Sequence, residues 1–287
     1  MALPGLLYFL IFHYGPMYGL MIAFKDFNLY KGVFESKWVG LDNFATLFGM
    51  SGFQRALRNT VIIATYQLLF VFPAPIVLSL LIHEVVNVRY KKFVQTSVYL
   101  PHFVSWVVIG GILYAILSPT SGVVKEVASW FGYEGPVANL MASREHFRGL
   151  LILSSIWKEA GFGTVLYLAT MLTIDPHLYE AAKVDGAKKW RQIWHITLPS
   201  IRSTIVVLLI LRLGQGLDVG FEQIFLMLNP FVRDVGEILD TYVYEKGIRQ
   251  SDVSFATAVG LFKGLVGLVL VVTSNRLAKR FGEQGLY

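Results

Sequence analysis

Charged side chains stand in stretches of this sequence that are otherwise apolar: Lys158 and Glu159, then Arg212, Asp218 and Glu222, then Lys263. A charge at the centre of an apolar spanning helix costs about 2.5–3.5 kcal/mol on insertion scales, so such residues turn toward an interior or toward one another. On a helix turning about 100° per residue, Arg212, Gln215, Asp218 and Glu222 fall within an arc of about 120°. That stripe would supply donors and acceptors along one face. Two chemistries fit it: a hydrophilic route lined with hydrogen-bonding groups, or structural ion pairs against a second subunit. Bond-making chemistry does not fit. The six histidines are scattered, there is no cysteine, and no HExxH, Walker A, GxSxG or GxGxxG pattern occurs. His102, alone in its stretch, reads as a packing or hydrogen-bonding residue rather than a ligand. The expectation is a chain that is not an enzyme, with no metal site and no cofactor of its own.

The elements that must carry these residues are membrane helices. Of 287 residues 55% are hydrophobic and 15% charged, against about 25% charged in soluble domains. Six apolar windows can cross a hydrocarbon core about 30 Å thick: roughly 2–24, 57–82, 93–117, 150–173, 203–228 and 254–275. The runs are continuous rather than alternating, which selects helices over strands. Residues 1–24 lack a basic start and a cleavage site, so they read as a span and not a signal peptide. A span opening at Met1 has no polar flank, as in a chain that lacks a short basic tail. Pro73 and Pro75 should kink the second span. Gly15/Gly19, Gly216/Gly220 and Gly260/Gly264 form GxxxG pairs, which either let helices approach closely or simply reflect how common glycine is in such helices.

Lys and Arg set the orientation. Segments 84–93, 174–202 and 276–287 hold eleven of them in 51 residues, whereas 25–58, 118–149 and 229–253 hold eleven in 91. The denser set is expected on the cytoplasmic side, with both termini. The net charge of +6 belongs to loops near anionic lipid headgroups. No basic run reaches five residues, so nucleic acid is not a partner. Within "SGVVKEVASWFG", Val123, Val127, Trp130 and Phe131 share a helical face suited to the membrane interface.

One polar segment between two spans is patterned for order. In "DPHLYEAAKVDGAKKWRQIWHITLPSI", residues 175–201, Asp175 can cap a helix whose first residue is Pro176. Leu178, Ala181 and Ala182 then share a narrow face, and Gly186 marks a break. A second amphipathic helix follows, with Trp190, Ile193, Trp194 and Thr197 on one stripe, ending at Leu198-Pro199. From the residues alone this is either a connector lying on the membrane or a handle for another protein.

The spacing Glu180-Ala181-Ala182, Gly186, Ile196, Leu198, Pro199, with Asp185 before the glycine, resembles the signature loop of permease subunits of binding-protein-dependent ATP-binding-cassette importers. "FHYGPMYGLMIAFKDFNLYKG", "WVGLDNF" and "YLPHFVSWVVIGGILYAIL" are similar to the carbohydrate-uptake group, especially its oligosaccharide and polysaccharide-fragment members. The resemblance implies an all-α membrane protein: one permease domain over 1–287, six transmembrane helices and the type I importer fold. It implies that Glu180, Ala181, Ala182, Asp185, Gly186, Leu198 and Pro199 form a coupling helix that docks on an ATPase. It further implies a second homologous permease, two cytoplasmic ATPase subunits that bind ATP and Mg, an extracellular solute-binding protein, membrane lipid around the chain, and a bacterial plasma membrane. For a sugar, Tyr66, Trp106 and Trp157 would supply stacking rings, and Lys158, Arg212, Gln215, Asp218 and Glu222 hydrogen bonds, unless these charges are structural. The alternatives are a permease for another solute such as glycerol phosphate or a peptide, an ion-coupled secondary transporter, and a membrane-bound sensor.

Overall fold

Proline and glycine decide where the apolar runs bend. In the computed structural model, which describes residues 3–280 other than Glu134 and Pro136, together with Gly282, nearly everything regular is helix. The first helix, α1, runs Leu3–Phe24, and the span expected from residue 2 is therefore described from Leu3. The expected tail 276–287 is likewise described only through Arg280 and at Gly282. After α1, a two-stranded antiparallel hairpin pairs Lys25 with Trp38 and Asp26 with Lys37. Helix α2, Asp42–Gly49, leads into α3, Ser51–His83, a continuous 33-residue helix. Pro73 lacks an N–H and would clash with the turn before it. A π-helical turn at Gln67–Val71 absorbs this, with Phe72 N donating to Gln67 O at 2.9 Å.

The third apolar run, expected as one span over 93–117, is two helices. Helix α4, Val88–Phe103, and α5, Trp106–Leu117, meet at 99°. Pro101 tightens the end of α4 into a 3₁₀ turn, Val104 and Ser105 are extended, and Ser105 starts α5 as its N-cap. The short helix α6, Val123–Trp130, forms where Val123, Val127 and Trp130 share a face, and these side chains are exposed.

Helix α7, Phe147–Met171, spans 25 residues, about 37 Å at 1.5 Å per residue. It carries Lys158 and Glu159 near its middle. Helix α8, Pro176–Val184, and α9, Lys189–Gly214, bracket Gly186. The second amphipathic helix was expected to end at Leu198-Pro199. Instead α9 runs through them, because a π turn at Ile193–Thr197 again relieves the proline. The fifth run, expected as one helix over 203–228, breaks. Helix α9 stops at Gly214, a turn follows, and α10 covers Phe221–Met227. Glycines at 214, 216 and 220 cause the break, and Gly220 sits at φ +91°, which a side chain disfavours. A short helix α11, Leu239–Val243, precedes the long α12, Val253–Arg280.

Among the described residues, four helices are long and apolar enough to cross a membrane, five if α4 and α5 count as one bent span. Three clusters hold them together. Leu47, Phe53, Leu239, Tyr242 and Phe255 join α2, α3, α11 and α12. Ile63, Phe147, Leu151, Ile224 and Met227 join α3, α7 and α10. Ile82, Tyr167, Leu168, Met171 and Ile201 join α3, α7 and α9 at the opposite end.

The glycine pairs expected to bring helices together do not do so within this chain at Gly19, Gly260 or Gly264, where a Cβ would meet nothing within 4 Å. Gly216 of the second pair does approach α12, where a Cβ would lie 3.0 Å from Leu270 Cδ1, and closer approaches come from other glycines. A Cβ on Gly161 would lie 1.8 Å from Val98 O, and one on Gly267 would lie 2.6 Å from Gly214 O. These contacts press α7 onto α4 and α12 onto the broken end of α9.

Candidate functional site: a cavity at a broken helix and an exposed loop

The break in the fifth run opens a cavity of about 510 Å³ bounded by α3, α5, α7, α9 and the turn leading into α10. Irregular backbone at membrane depth is tolerated where it lines a cavity or is covered by protein, because its N–H and C=O groups then find partners. Gln67 supplies one. Its Nε2 donates to Val219 O at 2.9 Å, and its Oε1 accepts from the Arg212 guanidinium. Gln223, 2% exposed, fastens the far side of the break. Its Nε2 donates to Leu151 O at 2.8 Å and to Ser154 Oγ at 2.9 Å, while Ser155 Oγ donates to its Oε1 at 3.0 Å.

The four polar residues expected on one helical face are divided by the break. Arg212, Gln215 and Asp218 line the cavity. Glu222 is exposed on α10 outside it. Periodicity assigns a face only while the helix continues, and the turn at 215–220 resets the phase. Among the expected aromatic residues, Trp106 lines the cavity. Trp157, 54% exposed, and Tyr66, 38% exposed, lie outside it on the surface of this chain.

Lys158 is buried and does not line the cavity. Its Nζ donates to the carbonyls of His102 and Val104, both at 2.7 Å, which are the groups freed where α4 gives way to α5. It also stands 5.5 Å from the Trp106 ring centroid. Lys158 is thus the clasp of a broken helix. His102 hydrogen-bonds Glu159 at 2.9 Å and stacks on Phe162, with centroids 4.2 Å apart. The cavity wall therefore combines one guanidinium, two carboxylates (Glu159 and Asp218), carboxamides and an indole. That set can exchange hydrogen bonds with a polyhydroxylated solute and can stack on its apolar face.

Sequence reasoning missed Gln67, Gln223 and Ser155. A glutamine inside the apolar stretch "TYQLLFVF" was the available signal. Counting charges alone passed over it.

The loop 175–201 is built differently. Asp175 caps α8 through an Oδ1 that accepts from His177 N at 2.9 Å, and Gly186 turns the chain at φ +75°. Helix α8 has no buried residue. Leu178 is 50% and Val184 89% exposed, and Glu180 and Ala181 also face outward. Ala182 is half-buried and Asp185 exposed, while Leu198 and Pro199 lie in the continuous α9. Tyr179 and Thr197 hydroxyls meet at 3.0 Å and Gln192 Nε2 donates to Ala187 O at 2.8 Å, which pins the loop to α9.

The pattern of the family described as binding-protein-dependent transport system inner membrane component matches residues 72–283. This chain belongs to that family. It is a multi-pass membrane protein, and its fold is the type I importer permease fold. It is 50% identical, over all of its length and 89% of the relative's, to the polygalacturonan/rhamnogalacturonan transport system permease protein YteP of Bacillus subtilis. Among solved structures it is similar to a bacterial ABC transporter involved in the import of the acidic polysaccharide alginate. The identity is 45%, over 97% of this chain and 93% of that one, with a TM-score of 0.89. A second structure, the alginate transporter in complex with an alginate pentasaccharide-bound periplasmic protein, matches at 44% identity over 99% and 94% of the two chains, with a TM-score of 0.91.

Proposed function

We propose that this permease forms one half of the passage of an ATP-driven importer for oligosaccharides, working by alternating access. The observation that carries the reading is the cavity at the break between α9 and α10, where polar side chains and an indole meet at membrane depth. Family membership and relatives named for polysaccharide fragments support a sugar as cargo. On this reading a second permease completes the passage, an extracellular solute-binding protein delivers the sugar, and two cytoplasmic ATPases bind ATP and Mg and hydrolyse it. This chain performs no bond chemistry. Helix α8, with Glu180, Ala181, Ala182, Asp185 and Gly186, is the surface that receives ATPase motion, and Leu198 and Pro199 carry it into α9. Both termini then lie in the cytoplasm.

The test is reconstitution of the complex in proteoliposomes with its binding protein, using oligogalacturonides, alginate oligosaccharides and neutral arabino-oligosaccharides as cargo. ATP-dependent uptake of at least one of them, unaffected by ionophores, is expected. Uptake that collapses with the ion gradient would instead make this an ion-coupled transporter, and absence of uptake together with absence of counterflow would make it a sensor. Sidedness is read from single cysteines placed at Lys125 and Lys188 in this cysteine-free chain. An impermeant maleimide should label position 125 from outside intact cells and leave 188 untouched; the reverse pattern would invert the orientation.

A further inference from the structure

Gln67 is a buried neutral side chain at the cavity, and nothing in the loop motif or the charged stripe accounts for it. It is 6% exposed and opens the π turn of α3. Single π turns inside α-helices recur at functional positions, because the extra residue redirects a side chain. Both ends of its carboxamide are engaged, and both partners lie on the broken run. The acceptor end holds Arg212 at the last turn of α9, and the donor end holds Val219 O just before α10. One side chain therefore spans the break.

Arg212 borders a second space as well. A largely apolar cavity of about 300 Å³ lies among α3, α9 and α12, lined by Thr65, Leu68, Leu213, Leu270 and the same Arg212. The Gln67–Arg212 pair thus stands between a polar cavity and an apolar one. The fold around the break has a second fastening in Gln223, so Gln67 is not the sole support of α10. The geometry points to Gln67 as a positioning residue of transport, which sets Arg212 at the cavity wall and holds the 215–220 turn against α3. This rests on the proposed import function for its solute readout only.

The experiment uses the assembled complex in proteoliposomes. Gln67→Leu removes both hydrogen bonds at similar size. It should assemble normally and raise the KM for uptake of the transported oligosaccharide about tenfold, the scale of a lost hydrogen bond to a charged group. If Gln67 acts through Arg212, the two changes are non-additive, and Gln67→Leu should leave KM unchanged in an Arg212→Leu background. A solute-free arm places one cysteine at Gln215 and reads its rate of reaction with a charged methanethiosulfonate in the resting complex. Loosening the turn with Gln67→Leu should raise that rate about threefold or more, the local-opening behaviour expected when a fastening is lost.

An unchanged KM, or an equal rise in both backgrounds, overturns the role through Arg212. An unchanged reaction rate overturns the role at the turn. Should Gln67→Leu fail to assemble, Gln67→Glu keeps an acceptor for Arg212 and gives up the donor to Val219 O, so its cysteine rate must rise for the proposal to stand. If the wild-type complex moves none of the sugars, the import reading fails, while the cysteine rate still decides the role of Gln67.

Discussion

The two ends of the helical bundle are held by opposite means. At the end that carries residues 25–59 and 229–254, polar side chains are buried and stitched across the sequence. Glu237, with a side chain 2% exposed, takes Arg55 at 2.9 Å and Arg233 at 2.7 Å. Its hydrogen bond and charge push the Arg233 guanidinium above its ordinary pKa. Asn59, fully buried, donates to the carbonyls of Asp234 and Glu237 at 3.0 Å and accepts from Arg148 at 2.9 Å. Ser254 accepts from Phe27 N and donates to Lys25 O, tying α12 to the hairpin. At the other end, α8 rests on few bonds, its His177–Glu180 pair is exposed, and its apolar side chains face out. An exposed pair of that kind contributes little. The first end is tied together by buried side chains of this chain itself. The second presents a helix whose apolar face has no cover, which is how a surface made for another subunit looks.

This contrast predicts an inverse ranking of stability and transport, and it can be broken at either end. The largest loss of stability should come from Glu237→Gln, which leaves two guanidinium groups without their anion. Removing one partner of a buried pair costs roughly 3–5 kcal/mol. Here both arginines reach solvent, so about 3 kcal/mol is expected, read as a fall in the unfolding midpoint of the purified protein in detergent. A midpoint unchanged by this substitution would deny that the buried network frames that end. Asn59→Ala removes three hydrogen bonds, one of them to a charged group, and should cost about 2 kcal/mol by the same measurement.

At the exposed end the effects on stability shrink. Gly186→Ala forces a side chain into φ +75° and should cost about 1 kcal/mol. Nothing lies within 4 Å of its added Cβ, so the strain is purely local. The smallest change should be Glu180→Ala, below about 0.5 kcal/mol as for other surface positions. Its uptake per assembled complex should nonetheless fall severely while its membrane abundance is kept. Normal uptake by both Glu180→Ala and Gly186→Ala would make the exposed loop a mere connector and erase the functional half of the comparison.

How much of each end could be read in advance follows from sequence separation. The loop motif of residues 175–200 was legible because capping, the alanine face and the glycine turn are all set by neighbours. Asp175 meets His177, and Gln192 meets Ala187. The buried network was not legible. Asn59 meets Glu237 across 178 residues, and no local pattern announces such a pairing. The charged residues of the spans fall between these cases. Their presence in apolar runs signalled burial against something. Which of the two roles left open, pathway or structural, each one takes was not signalled: Lys158 clasps two carbonyls, and Glu222 lies outside the cavity.

The sequence alone determined the class of this protein. Long apolar runs with few charges must become membrane helices, because every backbone group in lipid needs an internal partner. The resemblance of one polar loop to the signature loop of importer permeases pointed to the family. Only the tertiary structure decided which polar groups share a space. Breaks at Val104-Ser105 and at 215–220 shift the helical phase, so faces counted along an unbroken helix no longer apply. The groups that close those breaks, Lys158 for one and Gln67 for the other, come from helices distant in the chain. Their physical requirement, satisfying carbonyls freed from a helix, exists only once the helices have packed.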